Sequence, residues 1–148
     1  MKKPSAPTIN DVLSAVSDEQ CIKFLEAVAT NGDGSLLAQT LQMTRKVFYD
    51  RAAELRRKGL ITGRNGKYSL TGFGRIIYNT QKTIAKALDR KWKLTAIDSI
   101  RTVQQLSPED YAKVIDRLLD DIELKDIILS KRVNRGNETV GTQDEAKT

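Results

Sequence analysis

Between residues 44 and 67 the chain gathers side chains suited to meeting a polyanion: Thr44, Arg45, Lys46, Tyr49, Asp50, Arg56, Arg57, Arg64 and Lys67. Thr44 stands where a helix should start. Its hydroxyl and the free N–H groups beside it can hold a phosphate at the positive end of the helix dipole. Arg45 or Lys46 has the reach and donors for O6 and N7 of guanine. Tyr49 can contact a phosphate or a thymine methyl, and Ala53 is small enough to let a helix come close. Arg56, Arg57 and Lys58 suit the phosphate backbone, which raises affinity without reading sequence. Arg64 and Lys67 flank an Asn65-Gly66 turn, from which they can reach phosphates or a minor groove. Asp50 runs against the pattern, because a carboxylate repels phosphate. It can accept from cytosine N4 or pair with Lys46 one helical turn earlier, and the ion pair is the expected arrangement.

Other chemistry lacks the residues it needs. There is no histidine, which removes the commonest general base and metal ligand. No GxGxxG or GxxxxGK(S/T) motif is present, and no carboxylates cluster around an apolar pattern. Gly63 to Gly66 and Gly72 to Gly74 read as a hairpin tip and as tight packing at a helix start. Cys21 is the single cysteine. It allows no internal disulfide, fits a reducing compartment, and reads as a small buried hydrophobe. No enzymatic activity, metal or cofactor is expected.

The elements that must position these residues follow from periodicity and turn chemistry. Ile9, Val12, Leu13 and Val16 suggest a short first helix. Ser17, with Gln20 three residues on, predicts a capping box for a helix carrying Cys21, Ile22, Phe24, Leu25, Val28 and Ala29 on one face. Asn31-Gly32-Asp33-Gly34 stops it. Ser35 is expected to cap the next helix, with Leu36, Leu37 and Leu41 inward. Gln42-Met43 form a turn. Thr44 caps a basic helix over about 45–58 that buries Phe48, Ala52 and Leu55 and ends at Gly59. Residues 60–64 and 67–70 then make a hairpin through Asn65-Gly66, a two-residue turn that needs positive φ twice.

Thr71 is expected to cap a long helix over 72–91, with an apolar stripe of Phe73, Ile76, Ile77, Thr80, Ile84, Ala87 and Leu88. Residues 94–106 predict a further helix with Ala96, Ile97, Ile100 and Val103 inward. Ser107-Pro108-Glu109-Asp110 is a start signal for another, carrying Tyr111, Val114, Ile115, Leu118 and Leu119. Residues 122–129 add an apolar finish.

The 148 residues suffice for one domain with a core, or a small domain plus an extension. No apolar run approaches the roughly 20 residues of a membrane span, and the amino end lacks the apolar segment of a secretory signal. The net charge of +6 is unevenly spread. Residues 35–93 hold 14 Lys/Arg against 3 Asp/Glu, hence +11, whereas residues 94–130 hold 4 against 8, hence −4. One surface should therefore meet a polyanion and another should not. The expected division is a flexible lead-in over 1–8, a domain over 9–91, a helical extension over 92–130 and a disordered tail over 131–148.

Residues 35–91 resemble the winged helix-turn-helix domains of archaeal transcriptional regulators. The resemblance rests on the turn Gln42-Met43-Thr44, the spacing Phe48…Leu55-Arg56-Arg57-Lys58-Gly59-Leu60-Ile61, and the exit Tyr68-Ser69-Leu70-Thr71…Gly74. It implies a mainly α fold with a small β-hairpin: a winged helix-turn-helix followed by a long helix and further C-terminal helices. It also implies a sequence-specific regulator of transcription that binds double-stranded DNA. The helix over 45–58 would enter the major groove, and the wing over 60–70 would lie on the backbone or minor groove. The implied protein is a cytoplasmic, nucleoid-associated homodimer with no membrane partner. The residues themselves support dimerisation only through the near-heptad positions Phe73, Ile77, Thr80, Ile84 and Ala87. They leave open whether the last helices pair with a second copy or complete the core, and they name no operator or small-molecule effector. Two other readings remain: a winged-helix docking module of transcription or replication machinery, and a nucleoid-type architectural protein.

Overall fold

The computed structural model describes residues 5–130. The expected tail over 131–148, and part of the expected lead-in, lie outside the described residues. The chain is mainly helical with one two-stranded antiparallel hairpin. In order the elements are α1 (Ile9–Ala15), α2 (Glu19–Thr30), α3 (Gly34–Thr40), α4 (Arg45–Arg57), β1 (Ile61–Arg64), β2 (Lys67–Leu70), α5 (Gly72–Asp89), α6 (Lys91–Val103), α7 (Pro108–Leu118) and α8 (Ile122–Leu129). Two compact units form, one ending at Ala85 and the other starting at Lys86. The division thus falls inside α5 rather than at the 91/92 boundary read from the sequence.

Caps set the starts of these helices, and two differ from expectation. Thr8 caps α1 through a reciprocal box with Asp11, so the lead-in is already ordered at its last residue. Asp18, not Ser17, caps α2 by accepting from the Cys21 backbone N–H at 2.8 Å. Ser17 instead donates back to the Ser14 carbonyl. Asp33, not Ser35, caps α3, and it takes both the N–H and the hydroxyl of Ser35. In both corrections a carboxylate displaces a neighbouring hydroxyl, because a charged acceptor makes the stronger bond to a helix N-terminus.

The first unit is built on Phe24, Leu25, Leu37, Phe48, Leu55 and Leu60, all essentially inaccessible. Phe24 stacks on Phe48 with ring centroids 5.3 Å apart, and Phe48 meets Tyr68 edge-on. These contacts tie α2, α4 and β2 into one core. The hairpin has the register Ile61↔Leu70, Thr62↔Ser69, Gly63↔Tyr68 and Arg64↔Lys67. Asn65 and Gly66 both have positive φ, as the two-residue turn requires. β2 also pairs on its other edge: Asp33 bridges to Lys67, Tyr68 N–H donates to Gly32 O, and Gly34 N–H donates to Gly66 O. Gly32 permits this, since a Cβ there would sit 1.9 Å from the Tyr68 carbonyl oxygen.

Leu36 and Val103, expected to face inward, are exposed, as are Ile9 and Leu13 of the first helix. So are Phe73, Ile76, Ile84 and Leu88 of the apolar stripe on α5. Gly74 decides which side of the helix docks. A Cβ at Gly74 would lie 1.9 Å from the Leu60 carbonyl oxygen, so the Gly74 side of the helix is the side that docks. Ile77 and Tyr78 pack on the first core from that side, and Gln81 donates to the Val16 carbonyl. Thr71 caps the helix as expected, accepting from Gly74 N–H at 2.9 Å.

The second unit is smaller. Ile97, Ile115, Leu119 and Leu124 are buried, with Ala87, Leu94, Tyr111, Leu118 and Ile128 packed around them. Ser107 caps α7 with Pro108 in the first turn, as its sequence signals. Ion pairs brace the unit: Lys86 with Asp121 and Glu123, Arg90 with Asp120, and Lys125 with Asp116.

Candidate nucleic-acid interface

α3 and α4 are joined by a turn that follows from hydrogen bonding at the end of α3. Gln42 N–H donates to Gln39 O, and Met43 N–H donates to Ala38 O. That closure needs a left-handed residue, and Gln42 supplies it at φ 53°. Thr44 then caps α4, its hydroxyl oxygen accepting from Val47 N–H at 3.3 Å. The far end of α4 closes in the same manner. Gly59, at φ 75°, donates to Arg56 O, and Leu60 N–H donates to Leu55 O. Both ends of the basic helix are therefore held by local chemistry, and Phe48, Ala52 and Leu55 fix its buried side.

All nine candidate residues are exposed, but they do not form one uniform set. Arg45 and Tyr49, one turn apart on α4, line a groove of about 730 Å³ whose opposite wall includes Gly34, Ser35 and the hairpin-turn residue Gly66. The start of α4 and the hairpin turn thus face a common space. Lys46, Asp50 and Arg57, together with the small Ala53, occupy the next side of α4 at helical spacing.

Arg64 and Lys67 are direct cross-strand partners at the hairpin end. Like charges so placed repel, and a bound phosphate would relieve them. Thr44 lies at the turn that leads into the groove.

One expectation is corrected. Among the described residues Asp50 forms no ion pair with Lys46. Its carboxylate, on the outward side of α4, has no cation partner among the described residues. Arg56, an exposed residue expected at the phosphate backbone, lies with its guanidinium 5.7 Å from the centre of the Tyr68 ring and against Gly63. It braces the end of α4 to the hairpin, and the missing side chain at Gly63 leaves it room.

One positioning residue carries no sequence signal. Arg51 donates to Asp18 at 2.6 Å, to Gln20 at 2.8 Å and to the Cys21 sulfur. It clamps α4 to the first turn of α2. Burial opposes ionisation of Asp18, but the Cys21 N–H and Arg51 outweigh it and hold the carboxyl below its ordinary value. Burial, followed by the charge of Asp18, pushes the Cys21 thiol up, away from the reactive thiolate. The contact spans 33 positions in sequence, beyond any local pattern. The docking of Gly32 to Gly34 on β2 was also missed, although two glycines around Asp33 hint at a close approach of backbones.

Among the described residues no cluster of His, Cys, Asp and Glu could hold a metal ion. No described helix is long and apolar enough to cross a membrane. No family model, curated protein or solved structure matches this chain.

Proposed function

We propose that the protein is a winged helix-turn-helix regulator of transcription that binds duplex DNA sequence-specifically, as a homodimer on the nucleoid. One observation carries the reading: Arg45 and Tyr49 at the start of α4 share a groove with the turn of a hairpin that ends in Arg64 and Lys67. A helix whose amino end and flanking cations lie beside a basic hairpin can enter a major groove while the hairpin straddles the adjacent backbone. The order of elements supports the same reading. A short paired segment at residues 32–33 precedes α3, α4 follows through a tight turn, and the hairpin folds back on that segment. In this account α4 is the recognition helix. Arg45 and Lys46 read bases, Tyr49 and Arg57 hold phosphates, and Arg64 and Lys67 clamp the flanking strand.

Selection of bound duplexes from a random pool tests the proposal, with affinity then measured across a salt series. A defined consensus is expected. Affinity for it should fall by about 10³ or more between 50 and 200 mM salt if six or more phosphates are contacted. Arg45→Ala and Lys46→Ala should relax the preference at single base positions. Failure of the purified protein to bind any duplex at low salt would overturn the reading.

A further inference from the structure

α5 carries an apolar row that nothing among the described residues covers. Ile76 is 64% exposed, Ile84 62% and Leu88 68%, and Phe73 is 43% exposed at the start of the same helix. With Thr80, also exposed, the row runs 73, 76, 80, 84, 88. From Ile76 onward every step is four residues, so these side chains form one continuous ridge of the kind that packs into the grooves of another helix. The charged residues Arg75, Lys82 and Lys86 lie on the opposite side of α5, by helical spacing. The row is therefore neutral along its whole length and at its borders.

We infer that this ridge is the contact between two copies of the chain, crossing antiparallel about a two-fold axis at Thr80. The inference deepens the homodimer named above and rests on that part of the reading. The spacing is nearly palindromic about Thr80: an antiparallel partner sets Ile76 against Ile84 and brings Phe73 toward Leu88. That self-complementarity is what an isologous two-fold interface requires. Thr80 suits the crossing point. It is small enough for close approach, and its hydroxyl already donates to the Ile76 carbonyl at 2.8 Å. Burying it leaves no donor unmade. The five exposed side chains present on the order of 500 Å² per copy, so a pair reaches the roughly 1,000 Å² of a specific interface.

The opposed dipoles of two antiparallel helices favour this crossing over a parallel one.

Sedimentation without DNA tests the pairing independently of DNA binding. At about 100 μM, well above the Kd of a micromolar dimer, the wild type should be dimeric. Ile84→Glu and Ile76→Glu should be monomeric with unchanged helical circular dichroism, because both positions are already exposed. A monomeric wild type, or a dimer surviving both substitutions, overturns the inference. Disulfide trapping tests the orientation. A tagged Ile76→Cys copy mixed with an untagged Ile84→Cys copy should give the mixed dimer, and Thr80→Cys should cross-link to itself. Predominant Ile76→Cys self-linkage would overturn the antiparallel crossing. If dimerisation holds while duplex binding fails, the DNA reading alone falls.

Discussion

At the scale of single residues, the proposed interface depends on how α4 divides its charges. Phe48, Ala52 and Leu55 point into the core, and Arg51 is consumed by Asp18 and Gln20. Arg56 is folded over Tyr68. Arg45, Lys46, Tyr49 and Arg57 remain for a partner, with Asp50 among them. In the proposed DNA interface, a carboxylate on the outward side of α4 would do two things. It would weaken every phosphate contact, and it would accept only from a base that offers a donor in the major groove, such as cytosine N4. Asp50→Ala should therefore tighten binding to random duplex by roughly threefold to tenfold, as removal of one screened like-charge contact allows. The same change should weaken discrimination at one base pair of the selected site. Fluorescence anisotropy on the two duplexes reads both effects. Equal loss on both would mean that Asp50 only supports the fold.

At the scale of elements, the turns do the positioning. The left-handed residue between α3 and α4 is Gln42, which has a Cβ to accommodate at φ 53°. An L-residue in that region costs about 1–2 kcal/mol, a cost glycine avoids. Part of this returns as the extra chain entropy of glycine in the unfolded state. Gln42→Gly is thus expected to stabilise the protein by about 0.5–1 kcal/mol without moving the helices, measured as a shift in the urea midpoint. A destabilisation would mean that the Gln42 side chain holds the turn through contacts of its own. The hairpin is positioned differently, by pairing on both edges of β2. Its turn is anchored by the bond from Gly34 N–H to Gly66 O, which holds Arg64 and Lys67 close to α3 and the start of α4.

At the scale of the whole molecule, the two units differ in what holds them. The first has a packed aromatic centre, whereas the second relies more on surface ion pairs around four buried side chains. Asp120 shows the consequence for pH. Hydrogen bonding from Arg90, then from its own backbone N–H, lowers its carboxyl from the ordinary 3.8 to about 2. The folded state thus binds its proton less readily than the unfolded chain does. The stabilisation is fully present above pH 4 and is lost as pH falls toward 2. Thermal unfolding followed through Trp92 fluorescence should show the melting temperature of this unit dropping across that window. Asp120→Asn should start lower at neutral pH and drop less. Because the Asp120 carboxylate is exposed, added salt should shrink the difference between the two proteins. An identical acid profile for the variant would remove Asp120 from this account.

Local signals determined most of the element order. Thr44, Gly59, Asn65-Gly66, Thr71 and Ser107-Pro108 mark starts, stops and a turn through bonds made within a few residues, so their positions could be read directly. The buried side of α4 was equally plain, because Phe48, Ala52 and Leu55 share one helical face. Two caps went astray, at Asp18 and Asp33, where two adjacent residues can both cap and only the competition between acceptors decides. Tertiary structure alone decided which side of α5 is inward. Its apolar residues cover too much of the circumference for periodicity to choose, and the close approach of Gly74 to the Leu60 carbonyl makes the choice. The clamp from Arg51 to Asp18, the brace of Arg56 on Tyr68 and the isolation of Asp50 were likewise invisible beforehand. Each depends on where a distant backbone places a neighbour, which no spacing along the chain encodes.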